Sequence, residues 1–119
     1  MSDTERRKSV RAPAKLAMEI KISGEYARVE SLNVSANGVY FTSGVHIPPL
    51  TRLEITLMLP ASDSSAALSE VTCEGVVVRT QPERPEKNRD HYEIACYFTA
   101  ISEPDREHLE SYILSQLAF

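Results

Sequence analysis

Long hydrophobic runs are missing from this sequence. Its longest apolar stretches are short, residues 75–78 being an example, whereas a membrane helix needs about 20 consecutive apolar residues. Residues 1–11 are hydrophilic throughout and lack the apolar segment that a secretory signal requires. We therefore predict a chain that does not enter a membrane and that is located in the cytoplasm.

Cysteine is also scarce, and its placement excludes two classes of site. Cys73 and Cys96 lie 23 positions apart, with no CxxC motif and no clustered histidine, so neither a disulfide framework nor a metal site is predicted. We expect two buried thiols. Ser35 has no GxSxG context that would make it a nucleophile. We predict no metal, no cofactor and no enzymatic activity, and the three histidines are scattered without metal-ligand spacing: His46, His91 and His108.

The net charge of −4 conceals an uneven distribution. Residues 1–15 contain five basic and two acidic side chains, a net charge of +3, so the other 104 residues carry −7. An acidic body argues against a protein that coats nucleic acid with its whole surface. A basic arm attached to such a body indicates a local anion-binding site instead.

The length of 119 residues, with 42% hydrophobic and 25% charged side chains, predicts one soluble domain with a single core. We divide the chain into a flexible basic arm, residues 1–14, and a folded domain, residues 15–119. A short polar arm buries too little apolar surface to offset its conformational entropy, so it should be mobile until a ligand holds it.

Period-two alternation of apolar and polar residues predicts most of the folded domain to be strands. A turn at residues 23–25 should join the first two strands, with Ala27, Val29 and Leu32 as candidates for burial in the second. Gly75 should allow a bend or bulge, and residues 81–90 should form an exposed hairpin tip. The six predicted strands cover residues 15–23, 26–32, 38–42, 52–59, 71–80 and 91–101.

One helix is predicted, at the end of the chain. Ser102 and Asp105 resemble a capping box, and Leu109, Ile113 and Leu117 recur every four residues to form one apolar stripe. Six strands followed by one helix indicate a small antiparallel barrel or sandwich covered on one side by the helix. The predicted fold class is therefore all-β dominated, a six-stranded antiparallel β-barrel with a C-terminal α-helix.

Two short polar segments are the candidates for a binding site. Arg7 and Arg11, next to Arg6, offer planar guanidinium groups that bond phosphate oxygens or the O6 and N7 edge of guanine; the alternative is a solvated basic tail. In residues 33–38, Asn33 offers a carboxamide and Ser35 a hydroxyl. The alternative for this second segment is ordinary turn chemistry at the Asn-Gly pair.

Together the two segments form a recognisable pattern. Arg11 and Asn33 are 22 residues apart, and the hairpin between them returns the chain, so the two segments can meet at one barrel edge. The sequence resembles the PilZ domain family, bacterial receptor modules for cyclic di-GMP (c-di-GMP), which carry RxxxR followed after a strand pair by [D/N]xSxxG. The resemblance continues through residues 38–41, 75–79 and 97–106.

The resemblance implies a role for each motif residue. Arg7 and Arg11 would hold phosphates and the Hoogsteen edge of guanine, while Asn33 and Ser35 would hydrogen-bond the other side of a guanine. Gly38 would keep the loop tight, and Arg6 would stack on a base or contact a second ligand molecule. The protein would then be a monomer or a ligand-linked dimer whose arm orders over c-di-GMP to signal to an unknown protein partner.

Two other functions are compatible with the sequence. A ligand-independent adaptor of the same fold would use the apolar stripe of the helix to bind a protein. An oligonucleotide-binding barrel would use the basic arm, although the acidic body weighs against it, and we predict no nucleic-acid partner.

Overall fold

Seven strands and one helix make up the part of the chain that the computed structural model describes, residues 11–60 and 68–117. The predicted loop at 61–69, apart from its last two residues, lies outside the described residues. The elements are β1 (Ala12–Pro13), β2 (Ala17–Ile22), β3 (Glu25–Val34), β4 (Gly38–Ser43), β5 (Arg52–Pro60), β6 (Leu68–Gln81), β7 (Tyr92–Ile101) and α1 (Glu103–Leu117).

Strands β2 to β7 form a closed barrel. The order around the sheet is β3-β2-β5-β6-β7-β4, and β4 pairs back onto β3, every pair being antiparallel. Closure removes the unpaired strand edges that an open sheet would present to other chains. The predicted six-stranded antiparallel barrel with a C-terminal helix is confirmed.

The period-two pattern accounts for the core. In β5, Leu53, Ile55, Leu57 and Leu59 are all buried, and the residues between them are exposed or half-buried. Such alternation places one side of each strand inside the barrel. Helix α1 buries Leu109 and Ile113 against the barrel, with Leu117 half-buried beside them, so the predicted apolar stripe is confirmed. No helix among the described residues is both long enough and apolar enough to cross a bilayer.

The barrel wall begins earlier than predicted. Ala12 and Pro13 pair with Val34 and Asn33 of β3, and Ala12 and Ala14 are buried. They continue the inward-facing series of even-numbered residues that runs on through Leu16. Ala12 and Pro13, assigned to the arm by the sequence analysis, therefore belong to the sheet, and Ala14 is buried beside them. Residues 1–10 lie outside the described residues.

The first half of β3 differs from the prediction. Ala27 was a candidate for burial but is exposed, and Val29 and Leu32 are only half-buried. For Ala27 and Val29 the reason is that β4 pairs with β3 only from Glu30 onward, so the tip of the β2–β3 hairpin extends beyond the closed part of the barrel. Leu32 lies within the paired part, at the register shift between Ser31 and Asn33. Ser31 is the buried residue of this region, and its hydroxyl donates to the Ala14 carbonyl and accepts from Leu16 N.

Irregularities in strand pairing bend the wall at defined points. The β6–β7 register shifts between Glu74 and Gly75, which confirms the bulge predicted there, and shifts again between Val77 and Arg79. A Cβ at Gly75 would lie 2.9 Å from Ile55 Cδ1 and 3.0 Å from the Tyr97 carbonyl oxygen. Glycine at this bulge therefore lets β6 pass close to both neighbouring strands.

Candidate functional site

A bulge in β3 orients Asn33. The β3–β4 register pairs Ser31 with Phe41 but Asn33 with Tyr40, which leaves Leu32 as the extra residue. A shift of one residue exchanges the faces of a strand, so Val34 enters the core and Asn33 lies on the outer face. The sequence analysis placed Asn33 in a polar turn, whereas the structure places it within the strand.

Arg11 and Asn33 are in direct contact. Arg11 Nη1 donates a hydrogen bond to Asn33 Oδ1 over 2.7 Å. The contact follows from the topology, because Arg11 is two residues before Pro13, and Pro13 pairs with Asn33. The structure thus brings the second arginine of RxxxR to the first residue of the 33–38 motif. The other two predicted arginines, Arg6 and Arg7, lie outside the described residues.

Ser35 is turned into the loop that joins β3 and β4. The side chain is fully buried; its hydroxyl accepts a hydrogen bond from Asn37 N over 3.2 Å and lies 3.4 Å from the Gly38 carbonyl oxygen, to which it donates. Ser35 N donates to the same carbonyl oxygen over 2.9 Å. In this arrangement Ser35 shapes the loop, and its contact with guanine, which the resemblance implied, stays a prediction.

Gly38 is required by packing between strands. It pairs with Tyr97 of β7, and a Cβ at this position would collide with the Cys96 carbonyl oxygen and lie 3.5 Å from Tyr97 Cα. Its φ is not in the left-handed region. The glycine thus ends the loop by letting β4 approach β7 closely, a role that the Asn-Gly dipeptide did not reveal.

Helix α1 also contributes to this loop, through Arg106. Its Nη1 donates to the Ala36 carbonyl oxygen over 3.0 Å and lies 3.4 Å from Asn37 Oδ1. Phe98 N donates to the Asn37 carbonyl oxygen over 2.8 Å. Sequence reasoning missed Arg106, and no local pattern could have indicated it, because the contact spans 70 positions.

The outer face beside Asn33 continues as a row of cross-strand neighbours. Tyr40 pairs with Asn33 on one side and with Ala95 on the other, and Ala95 pairs with Arg79. Tyr97 is 53% exposed on the same face, next to Gly38. Two tyrosine rings and a guanidinium therefore extend the surface that begins at Arg11 and Asn33, with the small Ala95 between them.

Tyr40 is held in place by Glu93. Its hydroxyl donates to Glu93 Oε1 over 2.5 Å. This hydrogen bond, partial burial and the negative charge of Glu93 raise the pKa of Tyr40, and Arg79 opposes them. The phenol is therefore neutral near pH 7 and fixed as a donor, so its ring has a defined orientation on the outer face.

A separate groove lies elsewhere on the barrel. Its volume is about 620 Å³, and it is lined by residues of β2, β3, β5, β6 and β7, including Glu19, Glu54 and Glu74. Of the motif residues that the structure describes, Arg11, Asn33, Ser35 and Gly38, none lines it. Among the lining residues in the described ranges, Lys21 is the one base, and it pairs with Glu54 at 3.6 Å, so the charge of these residues is wrong for a phosphate ligand.

A family model for the PilZ domain matches residues 5–115. The chain belongs to the PilZ domain family. That match covers Arg6 and Arg7 and the described residues as far as 115, and it agrees with the barrel and the helix. A search of curated proteins found no match.

Solved structures of other PilZ proteins share the fold. The inhibitor of motility MotI/DgrA of Bacillus subtilis aligns with a TM-score of 0.77 and 23% identity over 94% of this chain and 51% of its own. The PilZ domain of YcgR from Escherichia coli, solved with c-di-GMP, aligns with a TM-score of 0.67 and 12% identity over 94% of this chain and 92% of its own.

A third structure is the complex of K. pneumonia MrkH with c-di-GMP, which aligns with a TM-score of 0.67 and 15% identity over 94% of this chain and 52% of its own. The chain therefore spans about half the length of MotI and MrkH and nearly all of the YcgR domain. At these identities the likeness concerns the fold.

Proposed function

We propose that this PilZ chain is a c-di-GMP receptor that acts as an adaptor without enzymatic activity. Arg6, Arg7 and Arg11 on the arm side and Asn33, Ser35 and Gly38 on the barrel side form the site. Binding orders the arm over the ligand, and the ordered arm is recognised by a downstream protein.

The contact between Arg11 and Asn33 is the observation that carries the proposal. Two motifs 22 residues apart in the sequence are joined at 2.7 Å on the outer face of the barrel. A ligand seated on the Asn33 carboxamide is then within reach of a permanent positive charge. c-di-GMP presents both groups that such a site recognises, phosphates for guanidinium and a guanine edge for a carboxamide.

The site residues divide into two roles in this proposal. Arg11 and Asn33 contact the ligand, and Arg6 and Arg7 complete the contact from the arm. Ser35 and Gly38 act by shaping the connection between β3 and β4, since one is buried and the other is packed against β7. A loop that is already ordered costs less conformational entropy when the ligand binds.

The neighbouring outer face suits the rest of the ligand. The Tyr40 and Tyr97 rings offer surfaces on which guanine bases can stack, and Arg79 offers a second cation close to Tyr40. The YcgR domain and MrkH, which share this fold, were both solved with c-di-GMP. Their ligand supports the same assignment for this chain.

Isothermal titration calorimetry with c-di-GMP tests the proposal. We compare the parent protein with Arg7→Ala, Arg11→Ala and Asn33→Ala, and use Arg89→Ala as the control, since Arg89 donates to Glu86 and to the His91 carbonyl oxygen, away from both motifs. Arg7→Ala and Arg11→Ala should each weaken binding by at least about tenfold, because one charge-assisted bond is worth about 1.5–3 kcal/mol. Asn33→Ala should weaken it about fivefold, because a neutral hydrogen bond is worth about 1 kcal/mol. No heat with the parent protein, or equal affinity in all variants, contradicts the proposal.

A ligand-independent PilZ adaptor is the second candidate. It is favoured by the buried Ser35 hydroxyl and by the hydrogen bond that Asn33 makes within the chain, since both polar groups of the barrel motif are satisfied by protein atoms. This candidate predicts partner binding that does not change when c-di-GMP is added and that survives Asn33→Ala.

A further inference from the structure

Arg106 lies near the start of α1, where hydrogen bonds fix the helix against the barrel. Ser102 precedes the helix, and its side-chain oxygen accepts from Asp105 N over 3.3 Å while its carbonyl oxygen accepts from Arg106 N over 2.8 Å. Asp105 Oδ2 in turn accepts from Thr72 N of β6 over 3.3 Å. With Leu109 fully buried in the next turn, the base of the Arg106 side chain is fixed relative to the barrel.

The other end of the side chain restrains the connection between β3 and β4 at its middle. The guanidinium donates to the Ala36 carbonyl oxygen over 3.0 Å and lies 3.4 Å from Asn37 Oδ1. Ser35 makes the bonds within the connection, to Asn37 N and to the Gly38 carbonyl oxygen. From β7, Phe98 N donates to the Asn37 carbonyl oxygen. Arg106 is therefore the link, among the contacts described, between this connection and the helix.

The helix also lies against the other half of the site. Helix α1 contacts β1, and β1 leads directly from Arg11 and pairs with Asn33. Both chain segments that flank the Arg11–Asn33 contact thus touch the same helix, one through β1 and the other through Arg106.

From this geometry we infer that Arg106 is a positioning residue for c-di-GMP: it makes the shape of the 35–38 connection depend on the docking of α1. The inference rests on the proposed function and goes beyond it, because it couples the ligand site to an element outside both motifs. Coupling between two sites is reciprocal in free energy. The ligand should therefore stabilise the docked helix, and a partner that displaces α1 should weaken ligand binding.

The expected size of the effect follows from the contacts. Without the guanidinium, the 35–38 connection populates its binding-competent shape for a smaller fraction of the time, and the apparent dissociation constant rises by the inverse of that fraction. The loss of one or two hydrogen bonds worth about 1 kcal/mol each corresponds to about a fivefold to thirtyfold weaker affinity.

Calorimetry with c-di-GMP on Arg106→Gln, Arg106→Lys and the parent protein tests the inference. Arg89→Ala is the matched control, because Arg89, like Arg106, donates to one side-chain oxygen and one backbone carbonyl oxygen, those of Glu86 and His91. Arg106→Gln should weaken binding at least about fivefold, Arg106→Lys should recover part of the loss by reaching the Ala36 carbonyl, and Arg89→Ala should bind as the parent does. Parent-like affinity in Arg106→Gln overturns the inference.

Amide hydrogen exchange separates positioning from a merely structural role. In the parent protein, c-di-GMP should slow exchange at the Leu109 and Ile113 amides of α1, and this slowing should be lost in Arg106→Gln while it persists in Arg89→Ala. Equal slowing in both variants contradicts the coupling.

The same measurement distinguishes failure of the inference from failure of the proposed function. Without ligand, the Phe98 amide, which donates to Asn37, should exchange faster in Arg106→Gln than in Arg89→Ala. If the parent protein binds no dinucleotide, the proposed function is wrong and the role of Arg106 in binding is wrong with it. If the parent binds and the Phe98 amide exchanges equally in the two variants, the inference alone is wrong.

Discussion

Gly38 and the carbonyl group of Cys96 lie so close together that no side chain fits between β4 and β7 at this point. The motif glycine is therefore a packing residue of the barrel. Gly38→Ala should lower the free energy of unfolding by about 2 kcal/mol, because overpacking forces backbone shifts. Urea denaturation measures this change.

Gly44→Ala is the matched control for that substitution. A Cβ at Gly44 would meet only the Asp90 carbonyl oxygen, at 3.8 Å, an ordinary contact distance. Its unfolding free energy should stay within about 0.5 kcal/mol of the parent value. A Gly38→Ala variant as stable as Gly44→Ala would show that β4 and β7 can separate without cost.

The ring of Tyr40, more than its hydroxyl, should matter for c-di-GMP. Tyr40→Phe removes the 2.5 Å hydrogen bond to Glu93 and keeps the aromatic surface, so affinity should stay within about threefold. Tyr40→Ala removes the stacking surface and should weaken binding about tenfold, since base stacking on an aromatic side chain is worth about 1–3 kcal/mol. Calorimetry measures the affinity of the two variants for c-di-GMP. A larger loss of affinity in Tyr40→Phe than in Tyr40→Ala would reject stacking.

The two thiols should be inert in the folded protein. Burial raises the pKa of Cys73 and of Cys96 to about 12, helped at Cys73 by the charge of Asp105. The thiolate is the reactive form, so a colorimetric disulfide reagent at pH 8 should label both residues slowly in the native protein and rapidly in urea. Equal labelling rates in the two conditions would contradict this expectation.

The same pKa values predict how stability depends on alkaline pH. An unfolded thiol ionises near its ordinary value of 9.0, whereas the folded thiols keep their protons until about pH 12. The folded state then binds more protons, so the free energy of unfolding should be insensitive to the thiols below about pH 9 and fall as pH rises toward 12. Urea denaturation at pH 8 and pH 10.5 measures the fall, and a rise would contradict it.

Deleting residues 1–10 should weaken c-di-GMP binding without unfolding the barrel. Within the part of the chain that the structure describes, β1 and the buried core both begin at Ala12, so we expect the thermal midpoint of the ligand-free protein to be retained. Affinity should fall by at least about tenfold, because Arg6 and Arg7 are removed. Deletion of residues 1–5, which keeps both arginines, is the control and should bind as the parent does. Equal affinity in the two deletions would exclude a role for the arm arginines.

The fold was largely predictable because the hydrophobic patterns that specify its strands and helix are local in the sequence. In β5 and in α1, burial follows periods of two and of about four residues, which can be read from the sequence without knowing what lies opposite. The prediction was wrong for Ala27, because burial there depends on where β4 begins to pair with β3, and no local pattern reports where a neighbouring strand starts.

The site was predictable in part. The sequence predicted that the segments of Arg11 and Asn33 meet, because the hairpin between them returns the chain. It did not predict the bulge that orients Asn33. The bulge at Leu32 places Asn33 on the outer face, and its cause is the register of β3 against β4. Arg106 was missed for a similar reason, since it reaches Ala36 across the packed interface of helix and barrel.

The connection between β3 and β4 joins the two strands whose pairing completes the ring of six. Residues 35–37 are thus part of the seam that turns a sheet into a cylinder. A substitution in the seam changes how readily the barrel closes, whether or not a ligand is bound. Loss of ligand binding in such a variant is informative only when the barrel is shown to be intact.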